Sequence, residues 1–74
     1  MEERIPEVLR KVAYLDAQGP DACTVDALSE ATGYEVQDVR TLMAEAFSEG
    51  LALSDNMRHV WTLTTKGWES IRTI

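Results

Sequence analysis

This sequence has one cysteine, Cys23, and only two lysines among its 74 residues. A single cysteine excludes an internal disulfide and fits a reducing compartment. No apolar run approaches the roughly 18 residues that a membrane-spanning helix needs. The N-terminal residues also lack the apolar centre of a signal peptide. We therefore expect a cytoplasmic protein that makes no contact with a membrane.

The residue patterns of catalysis are missing as well. The chain shows no paired carboxylates, no Ser-His-Asp or Cys-His arrangement and no glycine-rich phosphate loop. His59 is the only histidine, and Cys23 is the only other soft metal ligand. No spacing typical of a metal site accompanies them. The sequence thus predicts a protein that is not an enzyme and that uses neither a metal nor a cofactor.

What is present is the composition of an ordinary globular chain, with 45% hydrophobic and 27% charged residues. Its length allows one small domain, residues 1–74, with one modest core. A core of that size gives marginal stability unless a partner, such as a second copy, adds to it.

Basic charge is scarce, since thirteen acidic residues face seven basic ones and the net charge is −6. Most affinity for DNA comes from lysine and arginine, so this charge works against DNA binding. It does not exclude it, because the field at the contact face decides the outcome. Eleven acidic and four basic residues give 1–50 a net −7, whereas two acidic and three basic residues give 51–74 a net +1. The C-terminal third is thus the part better suited to a phosphate backbone.

Apolar residues at helical spacing predict three helices. The first runs from about Glu3 to Gln18. The second follows an N-cap at Thr24 and stops at Gly33, and the third runs from about Val36 to Ser48. The predicted buried residues are Ile5, Val8, Leu9, Val12 and Leu15, then Val25, Leu28 and Ala31, then Val39, Leu42, Met43, Ala46 and Phe47.

Two alternating runs, 51–54 and 60–63, predict a β-hairpin around the turn residues Asp55 and Asn56. A last helix of about 65–72 follows, capped by Thr64 and weakened by Gly67. Met57 is expected to be exposed in the turn, and Cys23 half-buried. The side chains predicted to face the core are Leu51, Leu53, Trp61, Leu63, Trp68 and Ile71.

This order of elements, mainly α with a small β-hairpin, resembles a winged helix-turn-helix domain with a three-helix core, a β wing and a short C-terminal helix. Residues 33–42, GYEVQDVRTL, are similar to its turn and recognition helix. Residues 48–51, SEGL, are similar to the approach to the wing, and 61–67, WTLTTKG, to the aromatic-x-Leu-Thr-x-x-Gly exit from it. The nearest likeness is to small bacterial and archaeal regulators of the MarR, ArsR and PadR type.

The resemblance implies a small transcriptional regulator that binds double-stranded DNA, with the third helix in the major groove and the wing on the backbone. Gln37 could pair with adenine and Arg40 with guanine or a phosphate. At the wing tip, Arg58 could enter a minor groove or neutralise a phosphate. The candidate DNA-binding residues are Val36, Gln37, Arg40, Thr41, Ala44, Arg58 and His59.

An alternative stays open, because the same fold also serves as a protein-binding module. The acidic helices fit an adaptor, or a phage-type or plasmid-type protein that binds a host protein and not DNA. In that case Arg40 is a solvated residue near Asp38 and Glu45. A homodimer is expected from size and half-site logic, with its contact at exposed apolar positions of the first or last helix.

Overall fold

The structure, a computed structural model, describes residues 3–19, 21–55, 57 and 59–72. The elements in chain order are α1 (Arg4–Asp16), α2 (Val25–Thr32), α3 (Val36–Ser48), β1 (Ala52–Asp55), β2 (Val60–Leu63) and α4 (Thr65–Arg72). The predicted fold class is confirmed, since three helices are followed by an antiparallel hairpin and a short helix. This arrangement is compatible with a winged helix.

The core lies between α1, α2, α3 and the base of the hairpin. All five apolar residues predicted to line the inner face of α1 are buried there. From α3 it takes Val39, Leu42, Met43 and Ala46, whose spacing follows the helical period. Leu28 of α2 and Cys23 also belong to the core. Cys23 was predicted to be half-buried, but it is only 1% exposed and is fully buried.

Local signals set the turn between α2 and α3. The Ala27 amide donates to the Thr24 Oγ1 at 3.1 Å, which is the predicted N-cap of α2. Gly33 ends α2 with φ of 81°, a left-handed conformation that glycine adopts at little cost. Glu35 at the N-cap of α3 makes no side-chain cap hydrogen bond.

The hairpin pairs Ala52 with Leu63 and Asp55 with Val60. It is also tied to the segment before α2, because the Trp61 amide donates to the Cys23 carbonyl at 2.9 Å. The hairpin therefore packs beside the helices rather than projecting freely from them.

The predicted inward face of β1 was wrong at Leu53, which is 53% exposed. Leu51 is buried, but it precedes the strand, and its amide donates to the Ala46 carbonyl at 2.9 Å. Ala52, the first residue of the strand, is buried and Leu53 is exposed, so Ala52 faces the core and Leu53 faces out. On β2, Val60 is buried, whereas Trp61 and Leu63 pack partly buried against the core.

Two aromatic side chains predicted to be core are also largely exposed, Phe47 at 53% and Trp68 at 42%. Ala46 fills the core position of that turn of α3, which leaves Phe47 at its edge. In α4 the buried residue is Gly67, which lies against the Leu51 backbone, and the next residue, Trp68, falls outside the core. Ile71 packs against the core as predicted.

Within the described ranges, no helix is both long and apolar enough to cross a membrane.

Candidate nucleic-acid interface

The outward face of α3 carries a central stripe of uncharged residues. An α-helix turns about 100° per residue, so residues 37, 41, 44 and 48 fall within about 60° of one another. All four are exposed, and they lie opposite the buried face of Val39 and Ala46. We call them the outer stripe: Gln37, Thr41, Ala44 and Ser48.

Arg40 lies on the flank of α3 that faces the hairpin. There it lines an open cleft of about 450 Å³ together with His59 from the hairpin tip. His59 has φ of 57°, and its amide donates to the Asp55 carbonyl at 2.8 Å, which closes the tip. The structure thus brings two candidate residues from distant parts of the chain together. This α3–hairpin cleft is lined by Val25, Asp26, Arg40, Ser54, His59 and Trp61.

The acidic residues of α3 lie on its other flank. By the helical period, Asp38 is about 160° and Glu45 about 140° around the axis from Arg40. Both carboxylates are in exposed residues, and neither residue lines the α3–hairpin cleft. An anion beside Arg40 therefore lies on the opposite flank of α3 from both carboxylates, and the greater distance weakens their repulsion of it.

The remaining candidates have different positions. Val36, at the first position of α3, is partly buried and does not line the α3–hairpin cleft. Arg58 lies outside the described residues, so its role stays a sequence-based prediction. Asp26, Ser54 and Trp61 were not among the predicted site residues. Nothing in their local sequence marks them, because only the packing of α2 and the hairpin against α3 brings them to the cleft.

An apolar groove adjoins the cleft. It has a volume of about 440 Å³ and shares two lining residues, Ser54 and Trp61, with the α3–hairpin cleft. Ala44 and the exposed Phe47 of α3 form its other wall. One continuous depression between α3 and the hairpin therefore changes from charged at the Arg40 end to apolar at the Phe47 end.

The N-terminal end of α3 is fixed to α1 through Tyr34. The Tyr34 hydroxyl donates to Glu7 Oε2 at 2.6 Å, and the Arg4 guanidinium lies 5.7 Å from the Tyr34 ring centroid. The Ser29 hydroxyl donates to the Tyr34 carbonyl at 2.6 Å. These contacts hold the turn before α3 in one geometry.

Cys23 is not placed for chemistry. Burial raises the pKa of its thiol to about 11, an effect that the Trp61 amide partly offsets and Asp16 adds to. The thiol therefore stays protonated at neutral pH and is a poor nucleophile. Among the described residues, no three His, Cys, Asp or Glu side chains are grouped so that they could hold a metal ion.

Exposed aromatic side chains occur on both helices named for a dimer contact. Tyr14 of α1 is 63% exposed and Trp68 of α4 is 42% exposed. Both positions fit the expected location, but the structure describes one chain and the homodimer stays a prediction.

The likeness to winged helix-turn-helix domains rests on the order of the elements and on the three segments that resemble the recognition helix and the two ends of the wing. No family model, curated protein or solved structure matches the chain.

Proposed function

We propose that this chain is a small winged helix-turn-helix regulator that binds double-stranded DNA through α3 and the β1–β2 hairpin. The observation that carries the proposal is the shared cleft of Arg40 and His59. In this cleft Arg40 supplies a cation from the helix, and His59 supplies a side chain from the hairpin that can hydrogen-bond. A helix beside a hairpin can contact a base edge and a neighbouring backbone at once.

The charge pattern of α3 supports the same proposal. The outer stripe is uncharged, so its approach to the major groove meets no carboxylate at its centre. Gln37 can bond adenine in two places, and Ala44 can contact a thymine methyl group. The net charge of −6 repels DNA at long range and so lowers affinity for it. At physiological ionic strength, salt screens this repulsion beyond a Debye length of about 8 Å. Local contacts then decide the binding.

The first prediction concerns Arg40→Ala. We expect this change to weaken binding to DNA about tenfold at low salt, because one charged contact to a base or phosphate is worth about 1–3 kcal/mol. The measurement is a gel shift or fluorescence titration with short duplexes selected from a randomised pool by the wild-type protein. The wild-type affinity should also fall as salt is raised, because binding depends on cationic contacts with DNA.

Arg10→Ala is the matched control. Arg10 is exposed on α1 and lines neither the cleft nor the apolar groove, yet its loss changes the net charge equally. We expect it to alter DNA affinity by about twofold or less, the size of a screened surface charge. Equal losses in the two variants would show that Arg40 acts only through overall charge.

A second candidate function is supported by the apolar groove. A Phe47 side chain that is 53% exposed next to Trp61 is a typical anchor site for an apolar side chain of a protein partner. The acidic surface of the helices fits a partner that is basic. Absence of DNA binding at micromolar protein and low salt would favour this protein-binding module over the regulator.

A further inference from the structure

We infer that Asp26 keeps phosphate out of the α3–hairpin cleft, so that Arg40 contacts a guanine edge rather than the DNA backbone. This inference rests on the proposed function and names the group that the cleft selects. Asp26 would then be a residue that determines specificity.

The cleft brings a carboxylate and a guanidinium together from two helices. Asp26 comes from the first turn of α2, and Arg40 from the middle of α3. Asp26 is exposed and lines the cleft, so its negative charge acts on any group that enters there. Its favourable position at a helix N-terminus accounts for an acid in this turn, but it does not require that the acid share a cleft with Arg40.

The two ligands of Arg40 respond differently to this carboxylate. A phosphate carries a full negative charge, so repulsion by Asp26 offsets part of its attraction to the guanidinium. The guanine edge presents two neutral acceptors, O6 and N7, to which arginine donates in a bidentate manner. The paired cytosine presents an amino group that donates to a carboxylate. Asp26 therefore weakens the contact of Arg40 with a phosphate of the DNA backbone. It permits or strengthens the contact with a G·C pair.

The test compares Asp26→Asn with Asp38→Asn. Both acids are exposed in the first turn of a helix, and each change removes one negative charge. Only Asp26 lines the cleft with Arg40. Asp26→Glu keeps the charge and should bind DNA as the wild type does. Circular dichroism of each variant tests whether it is folded.

Two duplexes serve as probes: one of random sequence, and one selected from a randomised pool by the wild-type protein. We expect Asp26→Asn to raise affinity for the random duplex about threefold to fivefold more than Asp38→Asn does, the range of one exposed charge pair. Affinity for the selected duplex should rise less, so the ratio between the two duplexes falls. Replacing guanine by 7-deazaguanine in the selected duplex should weaken binding of the wild type. The same replacement should leave binding of the Arg40→Ala variant unchanged.

The possible failures are distinct. If the wild type binds DNA and the two asparagine variants behave alike, the inference is wrong and the proposed function stands. Insensitivity of the wild type to 7-deazaguanine at every position also overturns the inference. A wild-type protein that binds neither duplex contradicts the proposed function, and the inference falls with it.

Discussion

At the scale of single residues, Gly67 occupies a position in α4 that leaves no room for a side chain. Glycine in a helix costs about 1 kcal/mol relative to alanine, so its presence in the short helix α4 reads at first as a weakness. In the structure Gly67 is buried, and a Cβ atom built on it would collide with the Leu51 carbonyl oxygen. The missing side chain lets α4 approach the backbone at the base of the hairpin.

Gly67→Ala should therefore destabilise the protein although alanine favours a helix. We expect the free energy of unfolding to fall by about 1–3 kcal/mol, the usual cost of overpacking a fixed site. Equilibrium unfolding in urea, followed by circular dichroism, measures the change.

Gly19→Ala provides the comparison. A Cβ atom at Gly19 meets nothing within 4 Å. We expect a change within about 0.5 kcal/mol, as for most surface substitutions. If both alanine variants had the same small effect, the close approach of α4 would not matter to stability.

At the scale of the elements, Thr64 joins three parts of the chain. Its hydroxyl donates to the Gly50 carbonyl at 2.6 Å and accepts from the Gly67 amide at 3.0 Å. The Thr64 amide donates to the Leu51 carbonyl at 3.1 Å. One residue thus caps α4 and holds the two ends of the hairpin together at its base.

Thr64→Val keeps the shape of the side chain and removes the hydroxyl. We expect it to lower the free energy of unfolding by about 1–2 kcal/mol, the range for loss of a helix N-cap. Thr65→Val is the control, because Thr65 is exposed and follows the cap. Urea unfolding of both variants measures the difference, and equal losses would mean that the effect comes from losing any threonine hydroxyl at this end of α4 rather than from the cap.

The same elements show what the sequence can predict. The bounds of α2 and α3 follow from local signals, namely the Thr24 cap, the Gly33 turn and the apolar period, and the structure confirms them. The face of β1 does not follow, because the strand begins only after a bend at Leu51, and Ala52 rather than Leu53 then faces the core. Asp26 in the cleft could not be predicted, since its position depends on how separate elements pack.

At the scale of the whole molecule, where the net charge is −6, added salt acts on folding and on the proposed DNA binding in opposite ways. Like charges on a small domain repel one another and destabilise the compact state. Added salt screens this repulsion but also weakens attraction between Arg40 and DNA.

Raising potassium chloride from low to about physiological ionic strength and above should therefore increase Tm while it weakens DNA binding. We expect a gain of about 4–8 °C for each kcal/mol of repulsion removed, as for domains of this size. Thermal unfolding followed by circular dichroism gives Tm, and titration with the selected duplex gives Kd in the same buffers. A Tm that falls with salt would mean that attractive charge pairs outweigh the repulsion.

The closed base of the hairpin has a consequence for how such a protein can change over generations. Thr64 and its partners hold the two ends of the hairpin together at its base, away from the residues of the tip. At the far end, Met57 is 91% exposed and makes no demand on the core. Replacements there alter what the tip touches and leave the folded framework as it was. Descendants of this chain can thus acquire new targets by drift at a few tip positions, without first acquiring a new fold.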